Sequence, residues 1–454
     1  MTAVALRGQL LSLRTDPFLQ PSAECLAHET DGAVLLREGL IEAAGSWDAV
    51  RPVLPPGTPV VDYGDALIVP GFVDAHVHYP QLSVIGAFGE ELLPWLERYV
   101  FPAEARFADP AHAERVAALF LRELLRAGTT TAAVYCTVHP ESVDAFFRQS
   151  ERFDTRMVAG KVLMDRNAPP ELRDDVRRGH DDSQALIGRW HGRGRQCYAV
   201  TPRFAPSCSP EQLEMAGALL RQHDGLFLQT HLSENRAEVD WVRDLFPDAR
   251  DYLDVYDRAG LVGPRSVFGH AIHLGERELC RCHEAHAAFA HCPTSNLFLG
   301  SGAFDLFRAA ADRRRPVRVG LGTDVGAGTS LFQLRTLGEA YKVAHLHNRR
   351  LDAVQSLWLA TAGGARALHL DHRVGRIEAG LEADLCVLDP RATPLLAFRA
   401  AQAETVSDLL FALTTLADER CVRATWVAGR PVYDRDRTVE PFREASVLES
   451  ETAR

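Results

Sequence analysis

The chain lacks a surplus of positive charge, a long apolar run and any CxxC motif, and each absence removes a class of function. Its 454 residues carry 50 Lys and Arg against 61 Asp and Glu, a formal net charge of -11. Phosphate backbones would on balance be repelled, so no nucleic-acid partner is expected. No apolar stretch reaches the ~20 residues needed to cross a bilayer, so no membrane partner is expected either. The opening MTAVALRGQLLSLRTDPF is broken by Arg7 and Arg14 and is followed by no small-residue cleavage site, which argues against a secretory leader. Nine cysteines are scattered from Cys25 to Cys421 without a CxxC pair. An odd, scattered set fits reduced thiols and a cytoplasmic location, not a disulfide framework. Cys280 and Cys282, two apart on a helical stretch, read as structural. No internal repeat is found.

Hydrophobic residues make up 46% and charged residues 24%, enough for a sizeable core. Alternating apolar and polar runs punctuated by Gly and Pro mark strands near both ends: VALRGQLLSL, GAVLLREGLIEAAG and ALIVPG early, GRIEAGLEADLCVLD and CVRATWVAGRPVYD late. The middle alternates eight strand-like runs with helical ones. The strands are GFVDAHVH, TTTAAVYC, RMVAGKVLMD, QCYAVTPRFA, LFLQTHLSE, SVFGHAIHL, AAFAHCPTSN and VRVGLGTD. Helices are expected over PAHAERVAALFLRELLRAG and over SPEQLEMAGALLRQHDG, the latter with Ser209 as N-cap and Pro210 in the first turn. This alternation predicts a (β/α)8 TIM-type barrel over residues 70-373. Residues 1-69 and 374-454 are expected to meet as one small β-sandwich domain. The charged tail after Tyr433 is expected to be loosely ordered.

Active sites of such barrels sit at the C-terminal ends of the strands. Strand one ends His76-Val77-His78, and residues two apart on a strand share a face. Strand five ends at His231, with Glu234 just beyond it. Strand six ends at His270, and strand eight runs into Asp324. Several imidazoles and one carboxylate converging there suit a borderline-soft divalent ion, zinc or ferrous iron. The alternative zinc-deaminase pattern, H-x-E followed by P-C-x-x-C, is absent: Cys292-Pro293 reverses the order and a second Cys is missing.

PGFVDAHVHYPQ, THLSENRAEV, CPTSNLFLGSG and GTDVGAGTS resemble the motifs of the amidohydrolase superfamily, and HYPQ, TPRFAPSCS and HLSENRAEV resemble more specifically those of the guanine deaminase family within it. The resemblance spans roughly Leu6 to Tyr433. It implies His76, His78, His231 and Asp324 as metal ligands, usually of one zinc ion per chain, with ferrous iron as the other candidate. It implies Gln81, Arg203 and Phe204, with His231, as the residues that hold a purine. A homodimer is common among proteins of this kind. Strand four ends Thr201-Pro202-Arg203-Phe204, without the Lys that bridges two metals in some superfamily members; Lys161 lies in strand three and reads as structural or supporting.

The resemblance, read with the residue types, implies the chemistry. A divalent ion acidifies water toward neutral pH. Glu234, three residues beyond His231, is assigned as the proton shuttle, Asp324 as a second proton acceptor and His270 as a hydrogen-bonding partner of water or intermediate. Arg203 can pair with the adjacent O6 and N7 acceptors of guanine. Gln81 can read an amide-like edge and Phe204 can stack. The expected reaction is hydrolysis of guanine to xanthine and ammonia. Alternatives are deamination of 8-oxoguanine or another aminated heterocycle, a two-metal cyclic-amide hydrolase, and a metal-free binding module of the same fold. His273 and the loop Gly300-Ser301-Gly302 receive no role; His283, His286, His345 and His347 read as surface or packing residues. The run Arg313-Arg314-Arg315 reads as a solvated helix end.

Overall fold

The structure, a computed structural model, describes residues 3-439. Eight parallel strands form the barrel: Phe72–His78, Thr129–Tyr135, Arg156–Gly160, Cys197–Pro202, Phe227–Leu232, Ser266–His270, Ala288–His291 and Arg318–Leu321. They pair in chain order. Strand eight meets strand one just past its last residue, where Asp324 N donates to His76 O (2.9 Å) and His78 N donates to Val325 O (3.0 Å). The closing hydrogen bonds therefore run through the same residues expected to form the site. Nearly every strand residue is buried, as a parallel sheet covered on both faces requires.

Several barrel helices begin at side-chain caps, among them the expected Ser209. Pro110–Arg126 is capped by Asp109, and Pro210–Gln222 by the Ser209 side chain, which accepts from Gln212 N. Arg236–Leu245 starts with a full capping box of Asn235 and Glu238. The run of three arginines lies past the short helix Leu306–Ala310 rather than at a solvated helix end. Arg315 is buried and paired with Glu276, because burial of its guanidinium requires a carboxylate.

The two ends of the chain share one sheet. The expected sandwich takes the form of a continuous seven-stranded mixed sheet, in the order Arg430–Asp434, Val422–Val427, Leu385–Leu388, Val60–Pro70, Val4–Leu13, Leu26–Arg37, Leu40–Ser46. Its own core gathers Leu6, Val34, Ile68, Leu385 and Trp426. Between its late strands the chain also forms helices Pro394–Ala400 and Val406–Leu416. Their Leu396, Leu410 and Leu413 join the apolar core of the barrel instead of that of the sheet. Of the expected loose tail, residues 440-454 lie outside the described residues.

A buried ion network ties this sheet to the base of the barrel. Arg156, first residue of strand three, and Arg195, just before strand four, both bind Glu382; Arg195 also donates to Asp384 at 2.7 Å. Asp384 in turn accepts from Ala428 N. All four side chains are nearly inaccessible, and every charge has an opposite neighbour. Lys161, fully buried, pairs with Asp174 and so is structural.

Candidate active site

At the opposite end of the barrel the strand ends bring together all nine residues singled out from the sequence. His76 and His78 leave strand one on one side, as their two-residue spacing predicts. The Nε2 atoms of His76 and His78 are 3.2 Å apart, and those of His78 and His231 are also 3.2 Å apart. Asp324 Oδ1 lies 3.3 Å from His76 Nε2 and 3.4 Å from His78 Nε2. His231 Nδ1 donates to Arg203 O at 2.7 Å, so the lone pair of its Nε2 is directed into the cluster. Burial, reinforced by crowding with the other imidazoles, holds His78 and His231 well below the usual histidine range, and burial lowers His76 despite Asp324. Neutral imidazoles whose lone pairs converge repel one another unless a cation lies between them. A spacing near 3.2 Å suits two nitrogens each ~2.1 Å from one ion. His76, His78, His231 and Asp324 therefore fit a single divalent ion by both donor chemistry and spacing. The same neighbourhood holds Cys292, which with His76, His270 and Asp324 could also hold a metal ion.

Room for this cluster comes from small residues. A Cβ on Gly269 would meet the His76 ring at 2.6 Å, and one on Gly322 would meet His76 Cβ at 2.9 Å. The backbone is also strained here. Ser233, His270 and Asp324 adopt left-handed φ of 51°, 68° and 49°. Each such non-glycine residue costs ~1 kcal/mol or more and persists only where surrounding contacts dictate it.

Beside the imidazoles stand a carboxylate and a fourth histidine. His270 Nε2 lies 3.5 Å from Glu234 Oε2 and 3.8 Å from Asp324 Oδ2. Glu234 is 3% exposed and pushed up to about 7, chiefly by burial, with Asp324 adding and His270 opposing. Burial alone would lower His270, but Glu234 and Asp324 reverse the direction and raise it. Asp324 goes the other way. Burial would raise it, yet hydrogen bonding and charge from His76, together with His270, hold it at about 2. The two carboxylates, both facing His270, are thus driven in opposite directions, Glu234 up and Asp324 down.

The remaining wall is apolar with a polar corner. Leu92, Trp95, Leu96 and Leu299 line the cleft together with Phe204. Gln81 and Arg203 form the corner, and both are buried. Gln81 is not free to read a ligand with its whole amide. Its Nε2 donates to Glu104 Oε1 (3.1 Å), and its Oε1 accepts from Gly326 N (3.3 Å).

Several contributors escaped sequence reasoning. Glu104, on the short helix Phe101–Ala105, accepts from both Gln81 and Arg203. Asn296 Oδ1 accepts from His270 Nδ1 at 2.8 Å. Asp74 accepts from His76 N and from the backbone and hydroxyl of Thr323, and burial pushes it up to about 7. Ser301, left without a role, donates to Glu234 Oε1 at 3.4 Å, and His273 Nε2 donates to Ser301 O at 2.9 Å. Asp74 and Asn296 lie inside quoted motifs, DAHVH and PTSN, so position within the motif was the available signal. For Glu104 no such signal exists. His283 and His347 bond to backbone carbonyls away from the site, and among these peripheral histidines only His273 touches the site's neighbourhood.

Comparison with known proteins shows the family and the fold. The sequence profile of the amidohydrolase family matches residues 67-432. The guanine deaminase of Escherichia coli (strain K12) is 46% identical over 436 residues, covering 96% of this chain and 99% of the relative. The solved structure of E. coli guanine deaminase superposes with a TM-score of 0.92, at 45% identity over 96% of this chain and 100% of the other. Guanine deaminase from C. acetobutylicum, solved with guanine bound in its active site, gives a TM-score of 0.84 at 26% identity, covering 95% of this chain and 100% of that one. An adenosine deaminase from Xanthomonas campestris, solved with bound zinc, gives 0.83 at 25% identity, covering 100% of this chain and 99% of that one.

Proposed function

Because the chain belongs to the amidohydrolase family and, within it, to the guanine deaminases, we propose that it hydrolyses guanine to xanthine and ammonia with one zinc ion held by His76, His78, His231 and Asp324. The observation that carries this reading is the convergence of three neutral imidazole nitrogens and one carboxylate beside Glu234 and His270, with Arg203 at the adjacent corner. Bound there, the ion would acidify a water molecule and polarise the substrate. The zinc-bound relative supports the choice of metal, and the guanine-bound relative supports the choice of substrate.

The chain's own residues supply the rest. Glu234, poised near neutrality, takes one proton from the attacking water and gives it to the ring nitrogen; the second proton, from the hydroxyl that the attack leaves on the carbon, then passes to the departing amine. Attack at the amine-bearing ring carbon makes that carbon tetrahedral. Loss of ammonia restores the ring as xanthine, so one water is consumed and one ammonia released. Asp324, held as an anion, is the second acceptor for the water proton. His270 is oriented by Asn296 and faces both carboxylates, where it stabilises charge developing on the attacking oxygen. Arg203 and the second N–H of Gln81 address the O6/N7 edge of guanine, and Phe204 covers the ring. Nine unpaired cysteines fit a reducing, cytoplasmic setting, and no helix among the described residues is long and apolar enough to cross a membrane. A homodimer is part of the same reading.

Ultraviolet absorbance distinguishes the substrates directly. Guanine, 8-oxoguanine, adenine and aminated pyrimidines are supplied in parallel, and guanine is expected to turn over with the highest kcat/KM. Efficient deamination of another ring with guanine untouched would overturn the assignment. Elemental analysis separates enzyme from binding module: one metal equivalent per chain is expected, and two would revive the two-metal hydrolase.

A further inference from the structure

Glu104 is a carboxylate beside the cleft that the proposed chemistry does not use. It is 1% exposed, 23 residues from Gln81 and 99 from Arg203 along the chain, yet it binds both. Its Oε2 accepts from Arg203 Nη1 at 2.6 Å and its Oε1 from Gln81 Nε2 at 3.1 Å. Arg203 also lies with Cζ 5.5 Å from the centre of the Phe101 ring, on the same short helix. The guanidinium is thus held from one side only. Its other N–H groups have no side-chain acceptor among the described residues, and Arg203 lines the cleft.

The consequence for Gln81 is sharper. A carboxylate can only accept, so the amide end that faces Glu104 must be the NH2 end. Gly326 N, a donor, meets the other end at 3.3 Å and requires the carbonyl oxygen there. The amide cannot flip without breaking both bonds. We propose that Glu104 is the positioning residue that makes Arg203 and Gln81 present N–H donors side by side, and that it thereby selects substrates with acceptors along that edge. Guanine offers O6 and N7 there. A 6-amino purine would turn a donor toward the same donors and leave them unpaired, which sites built for hydrogen bonding reject strongly. Glu104 also neutralises Arg203, so the corner attracts the acceptor edge of a neutral base without carrying a net charge.

This inference rests on the assignment of the cleft to guanine. The wild-type protein tests that premise first: if it does not deaminate guanine, the premise fails whatever the variants do. With guanine turnover in hand, Glu104→Gln is compared with wild type on guanine and on 2,6-diaminopurine, which keeps the 2-amino leaving group but carries an amine at position 6. The expected result is a KM for guanine raised roughly ten- to hundred-fold, the range for hydrogen bonds to charged groups, with kcat within about threefold. The preference for guanine over 2,6-diaminopurine should fall at least tenfold, and metal content should stay at one equivalent. Glu104→Asp, which keeps the acceptor, should recover part of the preference. Adding Glu104→Gln to Arg203→Gln should cost less than it costs alone, because the pair acts as a unit. The proposal is overturned if guanine and 2,6-diaminopurine lose kcat/KM equally, or if the two substitutions add in full. Should Glu104→Gln not fold, Glu104→Asp and Arg203→Gln carry the same comparison: an unchanged preference in both overturns it.

Discussion

The two ends of the barrel treat buried charge in opposite ways. At the base, Arg156, Arg195, Glu382 and Asp384 satisfy one another completely. At the mouth, His270 Nε2 and His78 Nδ1 are buried without a hydrogen-bond partner, and imidazole nitrogens face one another at 3.2 Å. The base behaves as structure: its groups have nothing left to offer a ligand. The mouth is under-satisfied, and Ser233, His270 and Asp324 at its strand ends hold left-handed backbone that the surrounding contacts must sustain. Stability is expected to reside at one end and activity at the other.

The largest effect should come from Glu234→Gln. Loss of the proposed proton shuttle should lower kcat by roughly 10²–10⁴-fold, the range for general acid–base groups. Metal content and thermal midpoint should not fall, since a buried carboxylate raised to about 7 is itself unfavourable. Near-normal turnover would place the shuttle elsewhere, and a large drop in stability would erase the contrast between the two ends.

At the base, Glu382→Ala should do the reverse. It strands Arg156 and Arg195 without their shared partner, which costs about 3–5 kcal/mol in comparable buried pairs. Denaturant unfolding should show the loss, while KM for guanine in the surviving folded fraction stays unchanged.

Gly269→Ala probes the packing under the proposed metal site. Its Cβ would press on the His76 ring, so metal affinity should weaken by roughly ten- to hundred-fold, as when supporting contacts to a ligand are lost. Titration with a competing chelator measures this, and unchanged affinity would mean that the ring can shift freely.

The smallest effect is one of pH. Burial would raise Glu382, but Arg156 and Arg195 hold it below its ordinary 4.5. A depressed carboxylate stabilises the fold fully above its unfolded value and loses that contribution as pH falls through the folded one. Unfolding free energy should therefore decline with acid below about pH 4.5, and less steeply in Glu382→Gln. Identical slopes would remove the base network from acid stability.

Much of the mouth was legible because strand ends are named by their position in an alternating pattern. His76 and His78 follow from a period of two on one strand, and His231, His270 and Asp324 from the rule that barrel chemistry collects at one face. Their convergence needed no long-range information beyond strand order. Glu104 escaped because it sits on a five-residue helix that no strand-end rule covers, and its partners come from two other segments. The extended sheet also held a surprise. Helix Val406–Leu416 interrupts its strands and buries Leu410 and Leu413 in the barrel core, since an apolar helix packs on whichever exposed core lies within reach of its short connections.

By itself, the sequence determined the periodicities, the caps and the residue types at eight strand ends, because these depend on local geometry and on one repeating motif. Tertiary structure decided what those residues became. Glu234 is poised near neutrality and Asp324 is held as an anion because burial removes water from both while different neighbours surround each. Which end of the Gln81 amide faces the cleft, and whether a buried arginine is stapled or free, depends on carboxylates that chain order places far away and only the closed barrel brings within 3 Å or so.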